Sequence, residues 1–280
     1  MAHRAQRHHV PHKGGERNLR VAIATGVALG GLGAGLLYIG AEAFFGLAFV
    51  LLLVAQGEFY QATRKAGHNP ATALGLVSGA LLLVGVFFKD ESAAGIVLFL
   101  TLVFCFIWYK AMESKGDLIS NIGITMLGVA YVPLLGSFVG LLANRPDGRG
   151  VTIVAIGLVA LYDTGAYAAG RRFGRKALAP SVSPNKTLEG AAAASVAVVI
   201  ASTLIAPQLG PWNTLQAGIL GCLIALAAPL GDLFESLLKR DLGIKDMGTV
   251  IPGHGGALDR IDAMLFVMPV LYFSLILFGY

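Results

Sequence analysis

Apolar positions fall into long uncharged runs separated by short polar connections. The runs cover approximately 21–40, 41–55, 72–88, 93–109, 121–143, 151–169, 190–206, 214–236 and 261–279. About 20 mostly apolar residues suffice for a helix to cross a hydrocarbon core about 30 Å thick. The pattern therefore predicts an all-α, polytopic integral membrane protein with about nine transmembrane helices. Within 21–55 the only charge is Glu42. A single helix over that stretch, rising about 1.5 Å per residue, would overshoot the core. Two helices turning near Gly40 are predicted instead. Runs 41–55 and 72–88 are short for a perpendicular span, which places their ends toward a wet vestibule.

Composition agrees with the pattern. Hydrophobic residues make up 56% of the 280-residue chain and charged residues 13%, with a mean hydropathy of +0.72. Soluble domains carry about 25% charged residues, and spans of this number leave no room for one. The chain divides into a basic cytoplasmic tail (1–20), N-terminal transmembrane helices (21–150) and a C-terminal transmembrane catalytic region (151–280). The tail looks like the start of a signal peptide, but no small-residue cleavage site follows, so a retained first helix is expected. Cys105 and Cys222 lie in apolar runs and read as small buried hydrophobes, not as a disulfide or a metal site.

Charge sets the orientation. With nine spans and the N-terminus inside, 18 of the 21 Lys and Arg residues fall on the cytoplasmic side, and only Lys89, Arg145 and Arg149 fall outside. Basic residues are retained on the cytoplasmic face, so Tyr280 is expected outside. The connections 162–190 and 231–262 are expected to share the cytoplasmic face, as a joint site requires. The 37 glycines, many inside spans, allow close helix approach and suggest oligomerisation.

Candidate chemistry concentrates in Gly231–Asp262, where ten of the chain's 37 Asp, Glu, Lys and Arg residues occupy 32 positions. Asp232, Ser236, Lys239 and Arg240 lie roughly on one side of a helix. Lys245-Asp246 follow, then Pro252-Gly253-His254-Gly255-Gly256, then Asp259, Arg260 and Asp262 at the start of the last apolar run. Two Asp-bearing clusters at helix ends around a glycine-rich turn are more than a wetted loop requires. A second cluster holds Asp163, deep in an apolar run where a carboxylate is costly unless paired or facing a polar cavity. Beyond it come the basic run Arg171–Lys176 and Ser183-Pro184-Asn185-Lys186-Thr187. Lys186 and Thr187 beside a helix N-terminus suit a polyphosphate.

These residues resemble the phosphatidate cytidylyltransferase family, also called CDP-diglyceride synthases. The resemblance rests on Ser236, Leu238, Lys239, Arg240, Lys245, Asp246, Pro252 to Gly256, Asp259, Arg260 and Asp262. It extends to Asp163, Ala166, Tyr167, Gly170, Phe173 and Gly174, and to Ser183, Pro184, Lys186, Thr187, Glu189 and Gly190. Tyr162 stands where family members commonly have Asn, and Arg175 where Lys is common. Residues 1–150 match only in hydropathy.

The resemblance implies transfer of the cytidylyl group of CTP to phosphatidic acid, giving CDP-diacylglycerol and pyrophosphate for phospholipid biosynthesis. It also implies a homodimer and an inner-membrane location with the active site facing the cytoplasm. A phosphate monoester nucleophile needs no strong base, so the work is charge neutralisation by divalent metal, Lys and Arg. On that logic Asp232 and Asp259 are the expected metal ligands, with Asp163, Asp246 and Asp262 as further candidates. Hard oxygen donors select Mg²⁺. Lys186, Lys239, Arg240, Lys245 and Arg260 would neutralise phosphates, and loss of Lys239 or Arg260 would mainly raise KM. Ser236 would orient a phosphate or complete the metal's ligands, and His254, Gly255 and Gly256 would cradle an anion. The partners expected are CTP, phosphatidic acid and membrane lipid, with no nucleic acid. Alternatives are an isoprenoid or polyprenyl phosphate acceptor, a CTP-dependent lipid kinase, and a cation-coupled transporter. The last fits poorly because the ionisable groups gather at one face.

Overall fold

A computed structural model describes residues 19–112, 117–250 and 255–280. Its helices are α1 (Leu19–Ile39), α2 (Ala41–Lys65), α3 (Thr72–Phe88), α4 (Ser92–Ala111), α5 (Leu118–Val129), α6 (Leu135–Ala143), α7 (Gly148–Phe173), α8 (Leu188–Leu209), α9 (Thr214–Asp241) and α10 (Leu258–Leu277). A π-helical turn, Ala130–Leu134, joins α5 to α6. The basic tail lies outside the described residues except for Leu19 and Arg20, where α1 begins.

The protein is an all-α polytopic membrane protein. Among the described residues seven rods are long and apolar enough to cross a membrane: α2, α4, the continuous Leu118–Ala143, α7, α8, α9 and α10. In α1 the described apolar part is Gly30–Ile39, and α3 has only 17 residues. The chain does turn between helices at Gly40. Helix α2 runs ten residues past the expected end at 55, to Lys65, because a more polar stretch of nearly three turns continues the helix beyond the apolar run. One element was not anticipated: β1 (Ala177–Ala179) and β2 (Ser183–Thr187) pair as an antiparallel hairpin between α7 and α8.

Local chemistry explains the boundaries. Asn213 caps α9 in a reciprocal box, its side chain accepting from Gln216 N at 2.9 Å while Gln216 Oε1 accepts from Asn213 N at 3.0 Å. Thr187 Oγ1 caps α8 by accepting from Gly190 N at 3.1 Å. The π-helical turn contains Pro133, which has no N–H to give the α-helical ladder, so the wider turn absorbs it.

Two hydrophobic cores share one helix. Ala263, Val267, Met268 and Leu271 of α10 enter a core with α7, α8 and α9, while Leu258 and Leu265 enter another with α2, α3 and the π-helical turn. In that second core Tyr60 OH donates to Thr125 O at 2.7 Å and Gln56 Nε2 to Gly75 O at 2.9 Å, tying α2 to α5 and α3. At Gly231 a Cβ would stand 3.0 Å from Ala263 Cα. That close approach sets Asp232 of α9 beside the first turns of α10.

Candidate active site

The connections at one end of the bundle converge on a cavity of about 520 Å³. Asp163, Ala166, Tyr167, Gly170 and Arg171 of α7 form one wall; Lys186 and Thr187 come from the hairpin; Asp232, Asp259, Arg260 and Asp262 come from α9 and α10. Two stretches more than forty residues apart in the chain thus share one site. Arg240 Nε donates to Val182 O at 3.0 Å, which pins the hairpin to the end of α9. Glu189 Oε2 accepts from Arg175 N at 2.9 Å and Lys176 N at 3.2 Å, fixing the chain as it enters β1.

Four aspartates meet in this cavity in two different conditions. Asp232 forms an ion pair with Lys186. Asp163, Asp232 and Asp262 lie within electrostatic reach of one another, with Lys186 and Arg260 beside Asp163. Asp259 is held more closely: it accepts from Lys239 Nζ at 2.8 Å, Gly256 N at 2.8 Å and Met247 N at 3.1 Å. Lys239 in turn reaches back to Glu235, whose side chain is fully buried. Among the described residues no three His, Cys, Asp or Glu side chains converge closely enough to hold an ion by themselves. Mg²⁺ is usually held by one or two carboxylates together with water and substrate phosphates. The four aspartates facing one cavity therefore suit it chemically.

The remaining expected residues separate by place. Ser236, one turn past Asp232, is half-buried and does not line the cavity. Lys245 is exposed on the connection after α9. Asp246 lies beside Gly255, where a Cβ would stand 3.5 Å from its Oδ1. His254 lies outside the described residues. Gly255 has φ +87°, a left-handed conformation that favours glycine.

Three residues outside the expected set support the site. Glu58 of α2 is buried and accepts from Leu258 N at 3.1 Å, so a helix of the first half holds the start of α10. Gly248 and Gly256 leave the room its carboxylate occupies. Glu235 anchors Lys239 from within α9. Tyr131, on the π-helical turn, packs its ring on Phe234 at 4.8 Å and carries a buried hydroxyl within electrostatic reach of Glu235 and Asp262. The signals were faint: Glu58 sits just past an apolar run, and Glu235 four residues before Lys239 is an ordinary helix pair.

The glycine-rich turn has little slack. A Cβ at Gly256 would stand 2.7 Å from Gly248 N and 2.9 Å from Asp259 Oδ2. Gly256→Ala is expected to cost about 1–3 kcal/mol through overpacking and to lower turnover by displacing Asp259. Thermal unfolding in detergent and kcat, measured on the same preparation, check this. Wild-type values for both would show that the turn yields freely.

A cytidylyltransferase family model matches residues 20–278. The phosphatidate cytidylyltransferase of Mycobacterium leprae (strain TN) is 35% identical over 265 residues, covering 89% of this chain and 85% of its own. The chain belongs to the cytidylyltransferase family. The phosphatidate cytidylyltransferase of Mycobacterium tuberculosis (strain ATCC 25618 / H37Rv) is 34% identical, covering 89% of this chain and 80% of its own. That of Bacillus subtilis (strain 168) is 31% identical, covering 83% and 90%. For a cytidylyltransferase the cavity has suitable chemistry: cations that can face a nucleoside triphosphate, beside a group of carboxylates. The family match begins at residue 20, so it takes in the first-half helices that had matched only in hydropathy.

Proposed function

We propose that the protein transfers the cytidylyl group of CTP to phosphatidic acid, giving CDP-diacylglycerol and pyrophosphate for phospholipid biosynthesis. The observation that carries this reading is one cavity gathering Asp163, Asp232, Asp259 and Asp262 with Arg171, Lys186 and Arg260, in a chain of the cytidylyltransferase family. The relatives named above for phosphatidate favour a diacyl lipid as the acceptor.

A phosphate oxygen of phosphatidic acid attacks the α-phosphorus of CTP, and the bond from that phosphorus to the bridging oxygen of the β-phosphate breaks as pyrophosphate leaves. The nucleophile is already anionic, so this chain supplies no strong base. Lys186, Arg171 and Arg260 offset the charge of the two approaching anions, while the Gly255–Gly256 turn packs on carboxylates and holds Asp259 through the Gly256 amide instead of cradling an anion. Asp232 and Asp259, with Asp163 and Asp262 alongside, would hold Mg²⁺. That ion would neutralise phosphate charge and stabilise the departing pyrophosphate. Lys239 and Glu58 hold the shape of the site. The catalytic region is 151–280, and 21–150 buttresses it through Glu58 and Tyr131.

The proposed setting is a homodimer in the inner membrane with the cavity facing the cytoplasm. Sealed inverted vesicles given Mg²⁺, CTP and phosphatidic acid are expected to release pyrophosphate, and sealed right-side-out vesicles are not. Turnover from the right-side-out vesicles alone would reverse the orientation. Turnover only with a polyprenyl phosphate, or transfer of the γ-phosphate, would overturn the reaction. Light scattering of the detergent-solubilised protein should give twice the 29.2 kDa chain mass, and a monomer would remove the dimer.

A further inference from the structure

Along the same seam as the polar cavity lies a second one of about 430 Å³, walled by α1, α2, α6, α7 and α10. Among the described residues, every side chain lining it is apolar. Helix α10 contributes Ile261, Met264, Leu265 and Met268, a single stripe at helical spacing. That stripe begins between Arg260 and Asp262, which line the polar cavity. Helix α7 repeats the arrangement, with Ile153, Ile156 and Gly157 on the apolar cavity and Asp163, Ala166 and Tyr167 on the polar one. Positions 153, 156, 160, 163 and 167 share one helix face. The same two helices, α7 and α10, therefore contribute to a charged chamber and to a neighbouring apolar one.

Two glycines keep the second chamber open. A Cβ added at Gly157 or at Gly30 would meet nothing within 4 Å. Membrane-helix glycines ordinarily let another backbone approach, as Gly231 does here. Gly157 is exposed and lines both this chamber and a smaller one against α8, so a side chain added there meets open space and not a packed helix.

We propose that the apolar cavity seats an acyl chain of the lipid substrate while its phosphate lies in the polar cavity; this rests on the phosphatidic acid reading above. An amphiphile with an anionic head and an apolar tail matches two chambers of those characters set along the same pair of helices. From Ile261 to Met268 the stripe runs about 10 Å at 1.5 Å per residue. A chain leaving the bilayer gains no hydrophobic free energy in another apolar medium. The groove acts by placement, holding the head where its phosphate faces Arg260 and Lys186.

The test is Gly157→Leu, which fills the chamber without a backbone clash, assayed with dioleoyl and with dihexanoyl phosphatidic acid. For the long-chain lipid kcat/KM is expected to fall on the order of 10-fold or more, the scale of misfit in an apolar pocket. The short-chain lipid and the KM for CTP should be unchanged. An equal loss with both lipids, or no loss with either, would overturn the proposal. So would a changed oligomeric mass with unchanged kinetics, which would make the groove a protein contact. Wild-type protein inactive on both lipids would sink the activity reading instead. The groove is then read by photo-crosslinking phosphatidic acid that carries a diazirine in one chain. Labelling at 153–157 or 261–268 that unlabelled phosphatidic acid competes away, and phosphatidylcholine does not, supports it. Labelling elsewhere overturns it.

Discussion

Asp232→Asn is expected to lower kcat, or the apparent Mg²⁺ affinity, on the order of 100-fold or more. Residues that merely hydrogen-bond to a metal's ligands already cost ~10–100-fold when changed, and a ligand should cost more. The change leaves shape intact and removes one negative charge from a cavity where Asp163 and Asp262 stand nearby. It also frees Lys186 from its ion pair. Asp232 is only half-buried, so thermal unfolding should stay near wild type. Asp259→Asn should lose comparable activity but also stability, because the Asp259 carboxylate accepts from Lys239 and two backbone amides. If the two act as a unit in catalysis, the double variant's turnover should be little below either single one. A Mg²⁺ titration of activity for each folded variant decides: near-normal kcat and Mg²⁺ dependence in Asp232→Asn would return that residue to a structural role.

Lys239→Met is expected to act on folding before it acts on substrate, which revises the reading from the sequence alone. Lys239 lies between Glu235 and Asp259, whose side chains are 0% and 5% exposed. Removing one member of a buried ion pair leaves uncompensated charge and costs about 3–5 kcal/mol. The Lys239→Met protein should therefore unfold at a clearly lower temperature in detergent. Adding Glu235→Gln removes part of the stranded charge and should recover part of the loss. A Lys239→Met protein with wild-type unfolding and a raised KM for CTP or lipid would place Lys239 on a phosphate instead. The same comparison for Arg260, which is exposed and lines the cavity, should show the KM effect without the stability effect.

The contrast between Lys239 and Arg260 shows where sequence reading reaches its limit. Both are basic residues in one charged stretch, and nothing in their spacing separates a phosphate ligand from a buried strut. The difference arises from Glu235, one helical turn away, and from the turn that brings Met247 and Gly256 onto Asp259. A helical i, i+4 pair is common on exposed surfaces, so its burial has no signature in the chain. Glu58 escaped for a related reason. It lies 200 residues from the amide that it accepts from, and its segment continues as helix beyond the apolar run.

Sequence by itself determined the class of protein, most helix positions and the two stretches that build the site. Those properties follow from local physics: length of apolar runs against bilayer thickness, the turn at Gly40, and the cost of charges outside water. The family resemblance also rested on local motifs around Asp163, Lys186 and Asp232–Asp262. The tertiary structure alone decided which charges face the cavity and which are spent on one another. It alone set the hairpin against α9, drew Glu58 and Tyr131 from the first half to the site, and left an apolar chamber beside Gly157. These depend on where helices cross and on which side chains meet across them, and such contacts join residues far apart in the chain.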